Sequence, residues 1–207
     1  MKSNRAALVL AARRLFRERG FANVTVGEIS AAAGLTHGAF YSHFRTKHEI
    51  EALAVESIID KAATDWRDVV ALNPDQTLLA LAKNYLSFDH LSPGDVGCAF
   101  AALGDELGRS PESVRMAAST ALPRQIAVLE ELFADGEPDE RHRKALAAYA
   151  SMVGAATITR AILDPDLVDE INGSVIRIIL SLQRPDSGAM AHLPHSAASS
   201  NDGRGME

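Results

Sequence analysis

A chain of 207 residues, 47% of them apolar and 23% charged, has enough apolar material for a packed core in one or two domains, which excludes disordered and collagen-like classes. Its single cysteine, Cys98, excludes an intramolecular disulfide and the paired-cysteine zinc motifs, while the lack of any apolar run of about eighteen residues leads to the expectation of a cytoplasmic protein with no membrane segment. A formal charge of −6 argues against wholesale coating of nucleic acid, yet residues 1–48 carry eight Lys and Arg against two Glu, so a +6 end sits on a −12 body and suits a polyanion partner.

Helical signals follow in chain order. In NRAALVLAARRLFRERG, Leu8, Ala11, Leu15 and Phe16 recur at three-to-four spacing, and Gly20 supplies a stop. Thr25 and Glu28 have capping-box spacing at the head of a short second helix that Gly34 ends. Thr36 caps a third helix running through Phe44, and the two-residue link from Gly34 forces a steep angle between these helices. The spacing predicts a helix-turn-helix.

On a helix begun at Thr36, a turn of about 100° per residue gathers His37, Gly38 and Tyr41 on one side. Gly38 admits a close backbone, His37 offers a donor or acceptor to a base edge, and Tyr41, His43 and Lys47 reach phosphate oxygens. Phe40 and Phe44 are large and four apart, so they are expected to wedge beneath the first helix. A metal site is not expected, because His37 and His43 lie six apart and diverge, and His48 is read as capping or solvating the entry to the fourth helix.

The run LFRERGFANVTVGEISAAAGLTHGAFYSHFRTKHEI resembles the DNA-binding signature of the TetR family of bacterial transcriptional regulators over about residues 8–50. The resemblance implies an all-α fold: three N-terminal helices on a double-stranded DNA operator, and a larger helical domain that binds a small-molecule effector and forms a homodimer. It makes Thr25 and Thr36 helix caps that also touch phosphate, His37 the leading base reader with Gly38 beside it, and Tyr41, His43 and Lys47 phosphate anchors. Gly27 departs from members that carry a basic side chain there, so fewer contacts from the second helix are expected. The effector site would lie among the middle helices, with Trp66, Tyr85, Phe88, Phe100, Met116 and Met152 as candidate lining.

The resulting division is 1–47 for the DNA-binding domain, 48–183 for the ligand-binding and dimerisation domain, and 184–207 for a polar Gly/Ser/Pro-bearing tail expected to be disordered. From Lys47, the spacing of Ile50, Leu53, Ala54, Ile58 and Ala62 predicts a long connecting helix. Another follows over 74–90, then a break at LSPGD and a helix over about 95–107. Ser110 and Pro111 read as N-cap and first residue of the next helix, with Pro123 a kink inside it.

DPD at 164–166 separates two last helices. The first is lined by Ala147, Ala150, Ser151, Gly154 and Ala155, and the second carries a stripe of Val168, Ile171, Val175, Ile178, Ile179 and Leu182; two such helices from each subunit would make a four-helix dimer interface. Cys98 opens a helix, where the dipole favours thiolate, so it is a candidate redox or electrophile sensor; the competing reading is a buried core thiol. Asp89, Asp105 and Glu106 are candidates for recognising a cation, or simply a solvated helix face. No glycine-rich phosphate cradle, HExxH pair or nucleophile elbow is present, so no catalytic residue, metal or cofactor is expected. The alternative to a sequence-specific regulator is a nonspecific helical nucleic-acid-binding or adaptor protein.

Overall fold

The computed structural model describes residues 2–87, 97–133 and 135–183, and what it places there is helical, with no strand among the described residues. Phe88, Asp89, His90, the LSPGD break and the tail from 184 lie outside the described residues. The helices are α1 (Lys2–Arg19), α2 (Val26–Ala32), α3 (His37–Tyr41), α4 (Lys47–Leu72), α5 (Thr77–Tyr85), α6 (Ala99–Arg109), α7 (Glu112–Leu132), α8 (Pro138–Thr159) and α9 (Pro165–Ser181).

Local chemistry accounts for the boundaries. α1 ends at Gly20, whose φ of 78° suits a residue without Cβ. α2 opens on the Thr25–Glu28 box: the Thr25 hydroxyl accepts from Glu28 N at 3.2 Å, and Glu28 accepts from Thr25 N at 2.8 Å. Thr36 accepts from Ala39 N at 3.3 Å and Thr46 from Glu49 N at 3.3 Å, starting α3 and α4. Asp164 caps α9 through Asp166 N at 3.0 Å and Leu167 N at 3.3 Å, so DPD does separate the last helices.

Several boundaries differ from the sequence expectation. α3 stops at Tyr41 rather than Phe44, where the Ser42 hydroxyl takes the Ala39 carbonyl at 2.7 Å. α6 begins at Ala99, because Gly97 at φ 139° and the extended Cys98 hold the chain out of helix. Ser110 does not cap α7; its hydroxyl turns back to the Glu106 carbonyl at 2.8 Å, and Pro111 takes the N-cap position. α8 starts at Pro138, earlier than the apolar pattern marks, since proline at the first helical position needs no N–H partner. Pro123 lies inside α7, which continues through it.

Two apolar clusters form the core, and α4 belongs to both. The first joins Leu8, Ala12 and Phe16 of α1 to Ile29 of α2, Phe40 of α3, Phe44, and the first half of α4 with Ile50, Ala54, Val55 and Ile58. It also takes Leu103 and Leu107 of α6 and Val114 and Ala118 of α7. One continuous core therefore runs across residues 47 and 48. The second cluster joins Ala63 and Trp66 of α4 to Leu81 and Tyr85 of α5, Cys98, Ile126 and Leu129 of α7, Tyr149 and Met152 of α8, and Ile179 of α9. Arg124 of α7 fastens the middle of α4 from outside, bonding Asp60 at 2.6 Å and Glu56 at 3.1 Å.

Candidate nucleic-acid interface and buried centre

α3 has one buried face and one open face. Phe40 and Phe44 are buried, their rings 5.2 Å apart, with the Arg5 guanidinium 5.2 Å from the Phe44 ring. The aromatic pair thus locks α3 against α1, as its four-residue spacing predicts. His37, Gly38 and Tyr41 are exposed on the other side, and the His37 and Tyr41 rings meet edge to face at 5.3 Å. A Cβ added at Gly38 would meet nothing within 4 Å, so the fold itself does not require glycine there; the space is available to whatever approaches from outside. A Cβ at Gly27 would sit 3.8 Å from the His37 ring, so this glycine leaves the imidazole's flank open.

The turn between α1 and α2 is held from three sides. The Arg19 guanidinium bonds the Glu28 carboxylate at 2.6 Å. That bond first, and then the Thr25 amide and hydroxyl, hold the Glu28 carboxyl at about 2, below its ordinary 4.5. A lowered carboxylate pKa stabilises the folded form above pH 4.5, and the stabilisation disappears as pH falls from there toward 2. Glu28 is exposed to solvent, so the effect is small and salt-screened. The melting temperature of Glu28→Gln is accordingly expected to fall below that of the parent at pH 6, and the gap to narrow as pH falls toward 2 or in molar salt.

The second and third ties grip Phe21 itself. Its N–H, with that of Ala22 at 3.3 Å, donates to the Glu106 carboxylate of α6, and its carbonyl accepts from the Lys47 ammonium of α4. A Cβ at Gly20 would strike the Glu106 carboxylate, so this glycine answers to close approach as well as to its positive φ. Glu106 is therefore neither a cation receptor nor a solvated charge. Asp105 pairs with Arg109 at 2.6 Å.

Among the expected phosphate anchors, Tyr41 is exposed, His43 is half-buried, and Lys47 is half-buried with its ammonium on Phe21 and 3.6 Å from Glu51. His48 is exposed and bonds Glu51 at 2.7 Å. Arg45, exposed in the turn before α4, was not singled out in sequence; only its place in the turn, visible once α3 ends early, distinguishes it from other surface arginines.

The second cluster contains the buried centre. Trp66, Tyr85 and Met152 are buried, Phe100 is half-buried, and Met116 is 56% exposed on α7, which removes it from the expected lining. Trp66 meets Tyr85 at 5.8 Å and Tyr149 at 6.1 Å between ring centroids; Phe100 meets Tyr149 at 6.2 Å. Cys98 is buried at the head of α6 with Sγ 3.3 Å from the Tyr149 hydroxyl, which in turn donates to Gln125 Oε1 at 3.4 Å. Burial first, and then the neighbouring Cys98, push the Tyr85 and Tyr149 hydroxyls upward, so both remain neutral donors at physiological pH. Tyr149 and Gln125 escaped the sequence reading because nothing in their own segments marks them; α7 and α8 bring them together across 24 residues of chain.

α8 and α9 leave apolar surface outside. Ala147, Ala150, Leu146 and Ile158 of α8 and Leu167 and Ile178 of α9 are exposed, as is Leu163 between them. Of the α9 stripe only Ile179 is buried within the chain. Among the described residues no group of three His, Cys, Asp or Glu is placed to hold a metal, and no helix is long and apolar enough to cross a membrane.

Comparison with known proteins points the same way. The family model "Bacterial regulatory proteins, tetR family" matches residues 8–63. The Transposon Tn10 TetC protein of Escherichia coli is 34% identical over 90 residues, covering 42% of this chain and 45% of that protein. The HTH-type transcriptional repressor BepR of Brucella suis is 45% identical over 66 residues, 32% of this chain and 30% of BepR. The matches thus span less than half the length of these curated relatives. The reduced form of E. coli NemR superposes with a TM-score of 0.70 at 20% identity, over 86% of this chain and 96% of that one, which is a likeness of fold.

Proposed function

We propose that this chain, whose residues 8–63 match the model of the TetR family of bacterial regulatory proteins, is a sequence-specific, ligand-responsive transcriptional repressor that binds a palindromic operator as a homodimer. The observation that carries the reading is α3. One face is fixed by buried Phe40 and Phe44, and the other presents exposed His37, Gly38 and Tyr41, whose ring contacts are His37 with Tyr41 and Tyr41 with Phe40, each at 5.3 Å. His37 reads a base edge, with Gly38 admitting the groove wall; Thr25, Thr36, Tyr41 and His43 contact phosphates, joined by Arg45. Lys47 acts at both levels, since the ammonium that orders the α1–α2 turn also adds positive charge beneath the phosphates.

The homodimer forms through α8 and α9, whose small and aliphatic exposed residues would pair with a second copy as a four-helix interface. The effector binds in the second cluster, and α6 carries the signal. Its first residue follows Cys98 in that cluster, and its Glu106 holds the Phe21 and Ala22 amides of the DNA-binding helices, so a displacement of α6 acts directly on their mounting. The shift in operator affinity is bounded by the effector's difference in affinity for the two states.

The test uses a duplex enriched from a random pool and a scrambled one. His37→Ala is expected to narrow the ratio of their affinities by about 1–3 kcal/mol while changing scrambled-duplex binding little. Lys47→Ala is expected to weaken both about equally, to flatten the salt dependence, and to lower the melting temperature because Phe21 loses its ammonium. Identical behaviour of the two variants would contradict this division of labour.

A further inference from the structure

Two nearly fully buried side chains, Trp66 in the second cluster and Gln125 against its Tyr149, leave hydrogen-bond donors unused. Trp66 and Gln125 are each 1% exposed, and among the described residues neither Trp66 Nε1 nor Gln125 Nε2 has a partner. Buried polar groups are almost always paired, and leaving one unpaired is unfavourable, so each such group calls for an explanation. Both flank one side chain. The Trp66 ring lies 6.1 Å from the ring of Tyr149, and Gln125 Oε1 accepts from the Tyr149 hydroxyl, which leaves the amide nitrogen of Gln125 as its open end. An amide alone could present either end, but an indole N–H can only donate, and this fixes the polarity of what the pair would bind.

Charge narrows the choice further. The buried charged side chains among the described residues are Arg13, Glu51 and Lys144. Glu51 belongs to the start of α4 and bonds His48, while Lys144 is neutralised by Glu140 at 2.5 Å. Among the described residues, no buried carboxylate stands beside Trp66, Tyr85, Phe100 and Tyr149 to receive a cation. Phe100, half-buried in the first turn of α6, is the aromatic of this group nearest to solvent.

Resting on the reading that the second cluster takes the effector, we propose that this effector is a small, uncharged aromatic compound bearing a carbonyl-type oxygen, which accepts from Trp66 Nε1–H and Gln125 Nε2–H while its ring packs among the Tyr and Phe rings. Binding beside Cys98 at the head of α6 then loads the helix that holds Glu106 on the DNA-binding domain.

The test compares three probes of similar size on the full-length wild-type chain: acetophenone, its hydrocarbon isostere α-methylstyrene, and the phenyltrimethylammonium cation. Dissociation constants come from thermal shift against ligand concentration, with quenching of Trp66, the chain's one tryptophan, as a second readout for the ketone. The ketone is expected to bind about tenfold or more tightly than the hydrocarbon, because a site built to hydrogen-bond a ligand rejects the analogue that lacks the partner. The cation is expected not to bind. Gln125→Leu and Trp66→Phe should each bring the ketone-to-hydrocarbon ratio toward one. Equal binding of ketone and hydrocarbon, no binding of the ketone, or preference for the cation would overturn the proposal, and these outcomes are read on the wild-type chain without any variant. Operator affinity is measured separately: ketone preference without release of DNA would leave this inference standing and defeat the regulatory reading instead.

Discussion

Phe40→Ala is expected to destabilise the DNA-binding end by about 3–5 kcal/mol, the usual consequence of truncating a fully buried phenylalanine in a core that relaxes only partly. Phe40 is the contact by which a five-residue helix is held, and a helix of that length has no stability of its own. The apolar cluster beneath it is shared with α4, α6 and α7, so the loss should appear in the main unfolding transition and not as a separate early step. Denaturant unfolding by circular dichroism checks the magnitude, and enriched-duplex binding by the same sample should fall even where the chain remains folded. A loss below about 1 kcal/mol would mean that α3 is held by something other than this wedge.

Ile178→Asp should have the largest effect on function. Ile178 is 53% exposed on α9, so within one chain an aspartate there would be solvated and nearly neutral for stability. In a homodimer paired through α8 and α9 the same carboxylate would be buried against a second copy, and an uncompensated buried charge is strongly unfavourable. The expected result by sedimentation equilibrium is a folded monomer at micromolar concentration. Affinity for a two-half-site duplex should then fall by orders of magnitude, while the melting temperature of the single chain changes little. Gly154→Leu on α8 should act in the same direction, since a Cβ at Gly154 meets nothing within 4 Å in its own chain.

The parts of this protein that local chemistry controls were legible in the sequence. Thr25 with Glu28, Thr36, Gly20 and Gly34 mark helix ends through hydrogen bonds and φ values that depend on near neighbours only, and the structure has each of them. The inward direction of Phe40 and Phe44 likewise follows from helical spacing against the α1 stripe. What escaped was set by contacts distant in sequence. Glu106 looked like one more surface acid until the fold carried it across 85 residues to the Phe21 amide. Lys47 looked like a free phosphate anchor until the same turn gave its ammonium a carbonyl. Met116 has the composition of pocket lining but sits on the outer side of α7. Ser110 and Pro111 form a good start signal by residue type, yet the end of α6 claims the serine first.

In the proposed homodimer, α3 is presented twice and reads a DNA sequence. The measurement that tests it most directly is selection of bound duplexes from a random pool by the purified chain at physiological salt, followed by sequencing of the enriched fraction. The expected result is a palindrome whose half-site centres lie about 34–36 Å apart or a multiple of that, enriched by wild type and degraded at specific positions by His37→Ala. A pool that shows no enriched motif, while the protein still binds duplex with a steep salt dependence, would contradict it and leave a nonspecific nucleic-acid-binding protein.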